Sequence, residues 1–84
     1  MSYVYYVRLE YPEFPDPENP MGIYRAPDGN VFKIEVFGRD YRWHYSEELS
    51  RAFLMGDTLS IEEVSESVAK KALKNITGKD GFID

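Results

Sequence analysis

"GIYRAPDGNVFKIEVF", residues 22–37, holds the strongest turn signal in the chain and decides its fold class. Residues 22–26 are rich in β-formers, "PDGN" follows, and residues 31–37 alternate. Pro27 presets φ for a type I turn, Asp28 can bond the local backbone, and Gly29 supplies the positive φ that comes next. These residues read as a β-hairpin. In its return strand Phe32, Ile34 and Val36 share one face, with Val31, Lys33, Glu35 and Phe37 on the other. Such alternation implies one covered and one largely wet face of an antiparallel sheet.

The pattern extends in both directions. Downstream, Gly38, Arg39 and Asp40 break the run, and "YRWHY" resumes it, with Tyr41, Trp43 and Tyr45 on one side and Arg42 and His44 on the other. This reads as a second return strand with its rings inward. Upstream, residues 3–10 form a strand placing Tyr3, Tyr5, Val7 and Leu9 on one face and Val4, Tyr6, Arg8 and Glu10 on the other. Between them, residues 11–21 carry prolines at 12, 15, 17 and 20. Proline lacks the N–H that a helix or ladder needs, so this is a stiff, extended, acidic loop, with Phe14 its apolar member.

Two helices follow. Ser46 is a good N-cap, Glu47 and Glu48 suit the first turn, and Leu49, Ala52, Phe53 and Met55 form an apolar stripe that Gly56 ends. A second helix is expected from a Ser60–Glu63 capping box, with Leu59 stapled onto Val64. Its stripe is Ile61, Val64, Val68, Ala72, Leu73 and Ile76, with Gly78 as the stop. Residues 79–84, with Phe82 and Ile83, are a tail that docks back or frays. The chain is therefore expected to be a single α+β domain over residues 1–84. Its architecture is a small antiparallel sheet of three to four strands followed by two helices packed on one face.

Composition narrows the function classes. A chain of 84 residues fills one core, and an aromatic share of 15% supplies large side chains for it. No cysteine is present, which excludes disulfides, thiolate zinc sites and a thiol nucleophile. "MSYVYYVRLE" lacks a basic leader, and no stretch approaches the ~20 apolar residues of a membrane helix, so a cytoplasmic protein without membrane contact is expected. The net charge of −5 favours a basic partner over a phosphate backbone.

No set of residues makes a convincing reaction centre. His44 is the sole histidine, and Asp40 and Ser46 are its only near triad partners, without a nucleophile elbow. Asp57, Glu62, Glu63 and Glu66 lack the spacing of a Ca²⁺ loop, and there is no Gly-rich phosphate loop. The chain is read as non-enzymatic, with no catalytic residue, metal or cofactor. Arg39, Tyr41 and Arg42 could instead stack and pair single-stranded nucleic acid. Strand alternation separates rings from cations, however, and the basic footprint of such binders is missing.

The acidic residues are the stronger candidates. Glu47, Glu48, Asp57, Glu62, Glu63 and Glu66 stand against one base, Arg51, in residues 47–66, and the proline loop adds Glu13, Asp16 and Glu18. Glu13, Phe14, Asp16, Glu18, Glu47, Glu48, Glu62 and Glu63 are the expected partner-binding residues. The competing reading is that two helix N-termini each collected favourable acids.

The layout resembles a group of small uncharacterised proteins of actinobacteria and their phages. The shared traits are an aromatic first strand, "GIYR" (residues 22–25), one Trp before a short helix, and "GD" (Gly56 and Asp57) before an acidic-led last helix. That resemblance implies a small accessory protein and assigns no site residue. Small size, acidity, a rigid acidic loop and the lack of a catalytic set lead to the expectation that the chain binds and modulates a larger protein, with a basic one favoured, as immunity proteins, antitoxins and phage inhibitors do. A homodimer is a further option, because Val4 and Tyr6 give strand one apolar groups on its second face.

Overall fold

In the computed structural model, which describes residues 2–80, the segment read as the first strand forms β1 (Tyr3–Arg8). The chain continues through β2 (Gly22–Pro27), β3 (Glu35–Phe37), β4 (Trp43–Tyr45), α1 (Glu47–Met55), β5 (Ile61–Val64) and α2 (Glu66–Thr77). The strands make one antiparallel sheet in the order β4-β3-β2-β1-β5. The α+β class is as expected, but the sheet has five strands rather than three to four.

The additional strand is β5, formed by residues expected to open the second helix. Ile61 pairs with Arg8, Glu62 with Val7, Glu63 with Tyr6 and Val64 with Tyr5, and the Leu9 N–H donates to the Ser60 carbonyl at 2.8 Å. Ile61 and Val64 are β-branched, and pairing them satisfies the edge of β1 that β2 leaves open. The helix starts five residues later: Ser65 is the N-cap, and its Oγ accepts the Val68 N–H at 3.3 Å. Two serines competed for one helix start, and the ladder with β1 decided it.

A second expectation fails as well. The helices do not share a face. Tyr5, Val7, Leu9 and Ile23 form a core with Ala69, Ala72 and Leu73 of α2. The opposite face, with Tyr6, Tyr24, Ala26 and Ile34, packs against Leu49 and Phe53 of α1. Period-two alternation makes both faces apolar: Tyr5 and Val7 point one way, and Tyr6 the other. A sheet apolar on both sides needs a cover on both sides. Ala69 and Ala72 are small enough to bring α2 close to β1. Tyr6 meets the edge of Phe53 at 4.8 Å, so one of the two residues that suggested a second copy packs against α1.

The decisive hairpin forms with a longer connection than a tight turn. Ala26 opposite Val31 would follow from a four-residue turn, but Tyr24 lies opposite Val36 and Arg25 opposite Glu35. Residues 31–33 wind into a 3-10 turn, capped by Asn30 Oδ1 accepting the Phe32 N–H at 3.0 Å. Phe32 is therefore exposed, while Ile34 is fully buried. Ile34 is held to α1 through its backbone: its N–H donates to Ser50 Oγ at 3.2 Å, and its carbonyl accepts the Ser46 N–H at 2.8 Å.

The proline loop folds back on itself. Glu10 and Phe14 form an isolated antiparallel bridge around a cis Tyr11–Pro12 peptide bond. Its far end docks on α2, where Asn75 Nδ2 donates to the Glu18 carbonyl at 2.8 Å. Of the expected tail, residues 81–84 lie outside the described residues; Lys79 hydrogen-bonds through its backbone to Thr77 Oγ1. No helix among the described residues is long and apolar enough to cross a membrane.

Candidate protein-binding surface

The acids of α1 line a groove rather than a flat face. Ser46 Oγ accepts the Leu49 N–H, which sets the helix start and places Glu47 and Glu48 in its first turn. A groove of about 410 Å³ is bounded by Glu47, Glu48, Arg51, Ala52, Met55 and Asp57. Glu48, Ala52 and Asp57 also border a second groove, which runs under Leu59 to Ile61 and Arg8. Leu59 and Ser60 continue into a third, with Glu10, Tyr11 and Glu62 on its walls. The shared walls make these one continuous surface.

Its crest is apolar and wet. Leu59 is 98% exposed, Met55 82% and Tyr11 71%. Met55 was expected in the α1 stripe, but it and Leu54 face outward, and the buried residue of α1 is Ser50. Leu59 does not staple onto a helix, because the helix it would staple starts further on. An apolar crest ringed by carboxylates is what a basic partner with an apolar anchor would meet.

The expected site residues divide between this surface and other places. Glu47, Glu48 and Glu62 belong to it, together with Asp57 of the acidic run; Leu59, Met55 and Tyr11 also line it and were not among the expected site residues. Glu62 and Glu63 are neighbours on a strand and so project to opposite faces. Glu63 sits beside Tyr6, whose phenol burial pushes its pKa up, with the Glu63 charge adding to the rise. Glu13 and Phe14 lie exposed in the tight turn next to Tyr11.

Asp16 and Glu18 have local employment. The Asp16 carboxylate accepts the Glu18 N–H at 2.9 Å and the Asn19 side chain at 3.0 Å. Those bonds, the Glu18 N–H first, hold its pKa below the usual carboxylate range. Glu18 lies 3.9 Å from Lys71 of α2. Asp16 braces the loop internally and Glu18 ties it to α2, away from the α1 grooves.

The alternative cluster is arranged differently from a flat strand face. Tyr41 is in the Gly38–Arg42 turn with φ 62°, a left-handed backbone that bulky residues seldom adopt. Its ring stacks on Phe37 at 6.1 Å and 10°. Arg39 and Tyr41 border a recess of about 260 Å³ with Met21, Phe37 and Ile76. Arg42 is exposed, and its N–H donates to Asp40 Oδ1 at 3.1 Å. His44 Nε2 lies 2.9 Å from Asp40 Oδ2, and this contact holds the Asp40 carboxyl below its ordinary pKa.

One buried charge was not singled out from sequence. Arg25 is 7% exposed, with its guanidinium 4.1 Å from the Tyr3 ring and 4.3 Å from the Trp43 ring. Its Nε donates to Glu35 Oε1 at 2.6 Å. The signal was available: in "GIYRA", period two puts Arg25 on the same face as core Ile23. The Arg25 charge is covered by the Tyr3 and Trp43 rings and paired with Glu35, which gives it a structural role.

Comparison of the chain with models of known protein families, with curated proteins and with solved structures finds no match.

Proposed function

We propose that this chain is a non-enzymatic, acidic binding module that docks on a larger basic protein and modulates it, in the manner of an immunity protein, antitoxin or phage-encoded inhibitor. The observation that carries this reading is the apolar crest of Tyr11, Met55 and Leu59 set among Glu47, Glu48, Asp57 and Glu62. Apolar groups this exposed are a standing cost unless a partner covers them, and the carboxylates around them select that partner by charge. Acids at a helix start explain Glu47 and Glu48; they do not explain Asp57, which follows the end of α1 and borders two of the grooves.

The test is retention of a partner by the tagged chain from host extract, with nuclease, beside a variant carrying Glu47→Lys, Glu48→Lys, Asp57→Lys and Glu62→Lys. A stoichiometric protein held by the native chain and lost from the folded variant supports the reading. Equal retention by both ends it.

A second reading is binding of single-stranded nucleic acid. Arg39 and Tyr41 border one recess beside a stacked Phe37, which puts a cation and rings together where strand alternation separates them. A gel shift of labelled oligonucleotides at low salt, abolished by Arg39→Ala with Arg42→Ala, would move the assignment here.

A further inference from the structure

β5 is an edge strand, with β1 as its only strand neighbour. The Leu9 N–H bonded to the Ser60 carbonyl fixes which residues of the ladder face inward. By antiparallel alternation Glu62 and Val64 exchange backbone bonds with Val7 and Tyr5, so the N–H and carbonyl of Glu63 and the carbonyl of Ile61 face outward. The Ile61 N–H is already taken by the Thr58 carbonyl at 3.0 Å. Glu62 and Glu63 are exposed, one on each face of the sheet, so an added strand would pass between carboxylates on both sides.

We propose that this edge receives an extended basic segment of the partner protein, which joins the sheet as a sixth strand beside β5. The proposal rests on the reading of the chain as an acidic binding module and names the form its partner takes. Charge chooses the occupant. A second copy of the chain pairing β5 to β5 would set glutamates against glutamates, which is destabilising in directly opposed strands. Lysine or arginine at successive positions of an incoming strand meets Glu62 on one face and Glu63 on the other. Backbone bonds supply the alignment, and exposed Leu59, just before the strand, offers an apolar contact at its end.

The probe is a fluorescein-labelled peptide of lysine pairs separated by single valines, which puts cations on both faces of an added strand; it is added to the full chain and followed by anisotropy, with amide exchange of the complex measured in parallel. Binding that slows exchange of the Glu63 amide and weakens at least tenfold in Glu63→Pro supports edge docking. A threonine–valine peptide should bind at least tenfold more weakly. If Glu63→Pro does not fold, protection of the Glu63 amide in the native chain decides the matter. Salt-sensitive peptide binding without Glu63 protection overturns edge docking while leaving the acidic module intact. Absence of peptide binding at millimolar concentration overturns edge docking. If the charge-reversed variant also retains the natural partner, the acidic-module reading falls with it.

Discussion

Ser50 shows how a single hydroxyl joins two elements. It is the buried polar residue of α1, and its Oγ takes the Ile34 N–H where the 3-10 turn passes into β3. Ser50→Ala leaves that donor buried without an acceptor and should cost about 1–2 kcal/mol, read as a lower urea midpoint at unchanged slope. Arg25 makes the complementary case for charge. Its partner Glu35 is the more exposed of the two, so removing Glu35 takes a carboxylate away from the deeper charge, which lies against Tyr3 and Trp43. Glu35→Ala should cost on the order of 2 kcal/mol, below the range for a fully buried pair because water reaches the Glu35 side. Thermal unfolding followed by Trp43 fluorescence measures it, since that ring lies on the guanidinium.

Among the elements, β5 and α2 separate what periodicity can reveal from what only pairing decides. Ser65→Ala should destabilise the protein by about 1 kcal/mol, because Ser65 caps the helix, whereas Ser60→Ala should change stability by less than about 0.5 kcal/mol. Chemical denaturation of the two variants side by side distinguishes a helix starting at Glu66 from one starting at Ile61. Strand β1 was legible because alternation of Tyr5, Val7 and Leu9 is a local signal, and the C-terminal half of α2 was legible for the same reason. Residues 61–64 were not, since a Ser-x-x-Glu box is compatible with a helix until β1, far off in sequence, claims the segment. The two-sided cover was present in the apolar character of both faces of β1, but an apolar second face is met equally by a helix of the same chain or by a second copy, and sequence alone does not choose. The candidate surface was half visible: carboxylates can be counted along a chain, whereas the exposure of Tyr11, Met55 and Leu59 along linked grooves depends on loops whose paths the sequence does not specify.

At the scale of the molecule, burial of phenols sets the response to alkali. Burial raises the pKa of Tyr24, Tyr6 and Tyr5, with Arg8 opposing the rise at Tyr24 and Arg25 opposing it at Tyr5. The fold thus favours the neutral phenols, and their contribution is fully present below the unfolded value of about 10 and lost as pH rises through the higher folded values. Unfolding in alkali should therefore coincide with a rise in tyrosinate absorbance, and Tyr24→Phe should move the transition to higher pH. Asp16 and Asp40 have the opposite sign: their lowered values contribute above about pH 4, and that contribution is lost as pH falls through the folded values. Both are exposed, so the acid limb should be shallow. The sheet order carries one more consequence. β1 lies inside the sheet between β2 and β5, yet β5 and the helix that covers its Tyr5–Val7 face come from the last third of the chain. β1 therefore leaves the ribosome well before β5 and α2, so the nascent chain must keep a tyrosine- and valine-rich edge unpaired until residues 61–77 have followed.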